Sequence, residues 1–116
     1  MNERDALFLS HVLAAIDDIA VFTVDGREAF LADRKTQSAV IRQLEIIGEA
    51  VKRLSSETVA ARPSVPWRAI AGTRDRLIHG YFTVDLDAVW AMVETDLAPL
   101  RGEVDLLLRE AGSLPS

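Results

Sequence analysis

The apolar residues of this chain recur at intervals of three and four, and this spacing limits the possible folds more than any other feature. It runs from Arg4 to about Val24 and returns from residue 34 to about residue 55. Apolar residues at i, i+3 and i+4 lie on one face of an α-helix. The stripe of the first run consists of Leu7, Phe8, Val12, Leu13, Ile16, Ile19, Ala20 and Val21, and that of the second of Ala39, Val40, Leu44, Ile47, Val51 and Leu54.

Breaks between the periodic segments give the order of the elements. Asp25-Gly26 predicts a turn after the first helix, followed by a short helical turn over 27–31. Pro66 suits the first position of a third helix over 66–82, and Asp85 is a plausible N-cap for a last helix. That last helix is expected over 86–111, with a bend near Pro99.

No segment alternates apolar and polar residues at period two, as a half-buried strand would. The sequence therefore predicts an all-α fold, an up-and-down bundle of four main helices with short helical turns. A chain of 116 residues has the length of one domain. We expect this single domain to span 1–112, with a frayed tail at 113–116.

Charge and composition restrict the possible chemistry. The net charge of −5 counts against a general nucleic-acid binder, which depends on basic surface. Any RNA chemistry must therefore come from a local basic cleft, for instance one shared between two subunits. With no cysteine, the chain has no disulfide, thiolate metal site or cysteine nucleophile.

The beginning of the chain is apolar but does not resemble a targeting segment. It opens with mixed charges at Glu3, Arg4 and Asp5 and is interrupted by His11. No stretch approaches the roughly 18 apolar residues of a membrane span. We therefore expect a soluble, cytoplasmic protein without a membrane partner.

The segment GTRDRLIHGYF, residues 72 to 82, concentrates the reactive side chains. On a helical wheel Arg74 falls within the apolar stripe, a costly position unless the guanidinium is paired or opens onto a cleft. Asp75 and His79 are i and i+4, so the carboxylate could orient the imidazole. Arg74 and His79 are about 140° apart, and for both to reach one substrate either the long arginine side chain must bridge the gap or the helix must loosen near Gly80. A simpler interpretation makes His79 a cap or surface group and Arg74 a buried ion pair or a snorkelling side chain.

RDRLIHGY is similar to the R-x4-H-x-Y motif of the HEPN superfamily, in its HepT-like toxin branch. The flanking TQSAVIRQLEIIGEAVKRLS resembles the second-helix signature of that branch. PWRAIAGTRDRLIHGYFTVDLDAVWAMVETDLAPL resembles its motif helix running into its last helix. The resemblance covers residues from about 4 to 108. One departure is Asp75, because the branch often has Asn after the motif arginine.

This resemblance implies a HEPN-like bundle and a metal-independent endoribonuclease toxin of a type VII-like toxin–antitoxin pair, acting on tRNA or mRNA. The 2′-OH of the RNA would attack the adjacent phosphorus, leaving a cyclic phosphate and a 5′-OH. His79 would act in acid–base catalysis and Arg74 would stabilise the phosphorane charge, with Asp75 as an orienting group. A homodimer would double both residues, and also Arg76, in one cleft. No metal or other cofactor is expected.

The resemblance also implies a partner and a modification. In this branch a small nucleotidyltransferase antitoxin adds AMP to the motif tyrosine, here Tyr81. A bulky anionic adduct beside the cleft would repel the phosphates of RNA. A simpler interpretation is a core tyrosine with its hydroxyl at the surface.

Other polar residues admit weaker interpretations. Glu45 and Glu49 are i and i+4 and could suggest a metal pair, but without an E-x-x-H partner they are better read as solvated or paired with nearby cations. Glu49 could also line the cleft near Arg74. His11 is expected on a helix face, and Trp67 and Trp90 in the core.

Two other classes of function stay open at this stage. The first is a non-catalytic HEPN module that docks a nucleotidyltransferase or nucleotides. The second is a structural helical dimer in which Arg74 forms only an interface ion pair. Loss of RNA cleavage in a folded His79→Ala variant would distinguish both from the nuclease.

Overall fold

Two long helices, α1 (Glu3–Phe22) and α3 (Arg34–Lys52), pack along each other at the centre of the computed structural model. The structure describes residues 1–79 and 83–114, apart from the side chains of Arg74, Ile78 and His79. Asn2 begins α1 by accepting the backbone N–H of Asp5 at 2.7 Å, and Asp33 begins α3 by accepting that of Lys35 at 3.1 Å. Both helices thus start at side-chain caps.

The shorter elements surround this pair. They are α2 (Arg27–Ala32), α4 (Ser56–Ala60), α5 (Trp67–Ala71), α6 (Thr73–Leu77), β1 (Ile78–His79), β2 (Thr83–Val84), α7 (Leu86–Ala91), a π-helical turn (Met92–Asp96) and α8 (Leu97–Glu110). The all-α bundle is confirmed, as are the short turn now seen as α2 and the cap at Asp85. The Asp85 carboxylate accepts the N–H of Ala88 at 3.0 Å.

The core is formed by the apolar stripes of α1, α3 and α8. Its most enclosed side chains include Leu9, Val12, Ile19, Phe30, Val40, Leu44, Leu77, Val89 and Val104. The stripe predicted for α1 is wrong at its margins, because Leu7, Ala20 and Val21 are exposed. Val21 lies about 180° around the helix from the buried side, where no neighbouring helix covers it. Among the described residues, no helix combines the length and the apolar character needed to cross a membrane.

The continuous helix predicted over 66–82 is wrong. It is divided at Gly72 into α5 and α6, and α6 ends at Leu77. The Thr73 hydroxyl donates to the carbonyl of Ile70, a local bond that competes with helix continuation. The chain is extended at β1, directly after Leu77, and again at β2. Ile78 lies opposite Val84 and His79 opposite Thr83 in an antiparallel pairing.

The last helix lies where it was predicted, over α7, the π-helical turn and α8. Only its middle turn differs, because that turn is π-helical rather than α-helical. The π-helical turn at Met92–Asp96 comes directly before the turn that contains Pro99. Proline lacks an N–H and its ring crowds the carbonyl four residues earlier, here that of Thr95. The Thr95 hydroxyl also donates to the Ala91 carbonyl at 2.6 Å. Both effects favour a wider turn at this point.

Gly48 sets the distance between α3 and the motif segment. A Cβ at this position would lie 3.2 Å from the Ile70 carbonyl oxygen and 3.5 Å from that of Ala71. At Gly102, on α8, an added Cβ would have no neighbour within 4 Å. The close approach of α3 to α5 therefore depends on the missing side chain.

We expect Gly102→Ala to raise the free energy of unfolding by about 0.5–1 kcal/mol, the usual gain for alanine over glycine in a helix. Gly48→Ala should fall below that gain by about 1 kcal/mol or more, since the atoms in its way belong to the backbone. Urea unfolding of both variants measures the difference. Equal gains in the two variants would contradict the proposed contact.

Candidate active site

The backbone of the motif segment is anchored on both sides of Arg74. Thr73 precedes it and is 1% exposed, while Leu77 ends α6 and is 2% exposed. A buried residue before and another after position 74 fix α6 on the core. The Asp85 N–H donates to the Leu77 carbonyl at 2.9 Å and ties the end of α6 to the start of α7. The motif arginine thus stands on a constrained helical turn.

His79 lies outside that helix, which changes the expected relation between the motif residues. The predicted helical adjacency of Asp75 and His79 is wrong, because the chain becomes extended at Ile78. An extended residue advances the chain by about 3.3 Å, against 1.5 Å in a helix. The departure from the helix that was expected near Gly80 therefore occurs two residues earlier. The side chains of Arg74 and His79, and all of Tyr81, lie outside the described residues, and their roles stay predictions.

Arg76 lies at the rim of a groove formed by described residues. The groove has a volume of about 540 Å³ and lies between α3, α5 and the π-helical turn. Its floor is apolar, and its polar rim includes Arg76, Thr95, Asp96 and Glu103. Asp75 is also exposed, on the neighbouring position of α6. Both predicted cleft residues are therefore accessible to a substrate or a second subunit.

Glu49 is exposed on α3, next to the Gly48 contact with the motif segment. Its carboxylate lies 3.4 Å from the Lys52 ammonium, an exposed pair of small energy. It lines a small cavity together with His11 and Arg42, on the side of α3 that meets α1. Its predicted place in the cleft beside Arg74 stays a prediction. Among the described residues, no group of three or more His, Asp or Glu side chains is arranged to hold a metal ion.

The predictions for Trp67 and His11 agree with the structure, whereas Trp90 lies at the edge of the core rather than inside it. Trp67 is buried and its indole N–H donates to the Arg62 carbonyl at 3.0 Å. Trp90 is half-buried against Phe30, with ring centroids 5.4 Å apart. His11 is exposed on the surface of α1.

Asp5 is a buried carboxylate, although the sequence marks it only as one of the mixed charges at the start of the chain. It accepts hydrogen bonds from the hydroxyls of Ser55 and Thr58, both at 2.5 Å, and from the Ser55 N–H at 3.2 Å. Burial alone would raise the pKa of Asp5, but these hydrogen bonds outweigh it and hold the pKa below its ordinary value. Asp5 thus ties the start of α1 to α4 as an ionised group.

Comparison with known proteins assigns this chain to a family. Residues 12–107 match the family described as ribonuclease HepT-like, a range that contains the whole segment from Arg74 to Tyr81. A probable ribonuclease HepT of Thermococcus cleftensis is 45% identical over 101 residues, covering 86% of this chain and 92% of that protein. A provisionally named RNase of Methanocaldococcus jannaschii is 47% identical over 95 residues, covering 80% and 78% of the two chains. No solved structure gives a significant match.

Proposed function

Because the chain belongs to the ribonuclease HepT-like family, we propose that it is a metal-independent endoribonuclease toxin that cuts tRNA or mRNA. The observation that carries the proposal is the R-x4-H-x-Y sequence from Arg74 to Tyr81 within the matched range. Arg74 stands on a short helix anchored by Thr73 and Leu77. A phosphate-binding arginine needs such a fixed base if its charge is to be in place before the reaction begins.

The proposed reaction is an internal transesterification. A base removes the proton of the 2′-OH, whose oxygen attacks the adjacent phosphorus. The bond to the 5′-oxygen then breaks, and an acid protonates that oxygen. The products are a 2′,3′-cyclic phosphate and a 5′-OH end. His79 from each of two subunits would supply the base and the acid, and Arg74 would stabilise the phosphorane charge.

Local charge answers the objection raised by the net charge of −5. Arg68 and Arg76 flank Arg74 along the chain, and both are exposed. Neither of these two arginines forms a salt bridge within the described part of the chain, whereas Arg27, Arg62 and Arg101 each lie beside a carboxylate. Residues 68–76 therefore carry three arginines against one carboxylate, that of Asp75, and form a net positive segment on an acidic protein. A homodimer would double it in one cleft.

Regulation would act through Tyr81, as the residue next but one after His79. We propose that a cognate minimal nucleotidyltransferase antitoxin transfers AMP to its phenolic oxygen. The added phosphate places negative charge and bulk beside the catalytic groups, so RNA is repelled and blocked. The unmodified chain is then the active form.

The test is cleavage of total RNA and tRNA in EDTA by protein whose mass shows no adduct on Tyr81. We expect products with cyclic phosphate and 5′-OH ends, and no cleavage of matched RNA methylated at every 2′-oxygen. Activity abolished by EDTA would contradict the metal-independent mechanism. No cleavage by the unmodified protein would favour a non-catalytic module that docks the nucleotidyltransferase.

A further inference from the structure

A second cluster of cations lies on the surface where α1 and α3 meet, apart from the motif segment. The ring of Phe8 holds two guanidinium groups: that of Arg4 lies 5.6 Å from the ring centroid and that of Arg53 lies 5.8 Å from it. Guanidinium groups at this distance are attracted by the aromatic ring. Two residues that are remote in sequence thus bring like charges to one side chain.

The neighbouring side chains extend this cluster into a shallow cavity of about 220 Å³. Phe8, His11, Arg42, Glu49 and Arg53 line it. His11 packs edge-on against Phe8 with centroids 6.1 Å apart. We refer to Arg4, Phe8, His11, Arg42 and Arg53 as the α1–α3 patch.

The positive charges of this patch are not paired with carboxylates of the described residues. Within the described residues, Arg4, Arg42 and Arg53 form no salt bridge. Two carboxylates lie nearby. Glu49 lines the same cavity and lies 3.4 Å from the Lys52 ammonium, while Asp5 is buried against Ser55 and Thr58, and the charge of Arg4 contributes to its lowered pKa. Guanidinium groups gathered on one ring repel each other unless an anion lies between them. The arrangement therefore favours a bound anion.

The patch is close enough to the motif segment to contact the same ligand. On α3, Gly48 faces the end of α5 and Thr73 at the start of the motif segment, while Glu49, Arg42 and Arg53 lie about 100–140° around the helix from Gly48. Ala50, about 200° around, lines the patch cavity on the α1 side. A ligand in the motif cleft reaches the patch by crossing the exposed face of one helix, a distance of about 10 Å.

We propose that the α1–α3 patch binds backbone phosphates of single-stranded RNA beyond the scissile bond. This inference rests on the proposed ribonuclease function. Arginines grouped with aromatic rings suit single-stranded RNA, because guanidinium groups contact phosphates and their planes stack on bases. The patch extends the positive surface past the motif, which lets an acidic protein hold a polyanion long enough for cleavage.

The test measures binding of an RNA oligonucleotide methylated at every 2′-oxygen, which cannot be cleaved by the proposed reaction. Arg4→Gln/Arg53→Gln removes two patch cations. Arg34→Gln/Lys35→Gln removes the same charge from the far end of α3, about 28 Å along the helix from position 53. Fluorescence anisotropy gives Kd at several salt concentrations, and circular dichroism checks folding.

We expect the patch double variant to bind the oligonucleotide about 10-fold more weakly than the wild type. The negative slope of log K against log salt should become shallower by about 1.4, as for two lost phosphate contacts on single-stranded RNA. The control double variant should change Kd by less than about 2-fold, because positions 34 and 35 are farther from the patch than the roughly 8 Å over which salt screens a charge. Phe8→Leu, which keeps both charges but removes the ring, should weaken binding about 3-fold.

Equal losses in the patch and control variants would overturn the proposal, as would failure of the wild type to bind the oligonucleotide. Cleavage of ordinary RNA, measured in parallel, separates this result from the proposed function. Active wild type with patch-independent binding would refute the patch alone. Patch-dependent binding without cleavage would refute the nuclease and leave the RNA site.

Discussion

His79→Ala is expected to lower the rate of RNA cleavage by about a thousandfold while the protein stays folded. General acid–base catalysis contributes about 10² to 10⁴ to the rate of such reactions, and a homodimer loses both the base and the acid in this variant. The measurement is the single-turnover rate on a short RNA in EDTA. The binding of the 2′-O-methylated oligonucleotide should change by much less than the rate, because the imidazole acts on protons in the transition state.

Thr83→Ala is the matched control for this variant. Thr83 is exposed and lies opposite His79 in the β1–β2 pairing, so its replacement disturbs the same local backbone without touching an ionisable group. We expect cleavage within about 3-fold of the wild type. A loss in Thr83→Ala as large as that in His79→Ala would point to the strand pairing rather than to the imidazole. Full activity of His79→Ala would exclude the catalytic assignment.

The long helices could be predicted because each carries its own evidence. Apolar spacing over five turns and the break at Asp25-Gly26 are local signals, and they placed α3 to within a few residues. The start of the last helix at Asp85 was similarly visible. The width of the buried face of α1 could not be predicted in this way, because it depends on which neighbouring elements cover the helix. Val21 is apolar but faces away from both α3 and α8.

The shape of the motif segment could not be predicted from helical spacing. Residues 66–82 have a convincing apolar stripe, yet the helix is interrupted at Gly72 and ends at Leu77. The competing signals are the hydroxyl of Thr73 and the β-branched residues Ile78, Thr83 and Val84, which favour extended backbone. Packing against the rest of the protein determines the conformation of such short segments. The prediction from helical spacing that Asp75 and His79 are neighbours on one helix is therefore wrong.

The α1–α3 patch could not be predicted from the sequence for a different reason. Arg4 and Arg53 come from the start of one helix and the end of another, and only antiparallel packing brings them to Phe8. Net charge averages over the whole surface and so concealed this local excess of cations. The same packing brings Asp5 to Ser55 and Thr58. Their hydrogen bonds carry the second large prediction.

Asp5→Ala is expected to lower the free energy of unfolding by about 3 kcal/mol at neutral pH. The substitution removes the ionised acceptor of three donor groups and leaves the hydroxyl of Thr58, a residue that is 5% exposed, without the acceptor of its proton. Hydrogen bonds to charged groups contribute about 1.5–3 kcal/mol each, and a buried donor left unsatisfied adds its desolvation cost. Asp17→Ala breaks only the exposed contact with Arg101 and should cost at most about 1 kcal/mol. Urea unfolding compares the two.

The pH dependence identifies the carboxylate as the cause. The folded pKa of Asp5 is held below its ordinary value, so the stabilisation is fully present above the unfolded pKa, about 3.9, and is lost as the pH falls through the folded pKa. The gap between wild type and Asp5→Ala should therefore stay constant from pH 7 to about pH 5 and narrow below about pH 4. Thr58→Val combined with Asp5→Ala should cost less than the sum of the single variants, since both remove the same bond. A gap that is independent of pH, or additive variants, would mean that Asp5 stabilises the protein by packing rather than as a charged acceptor.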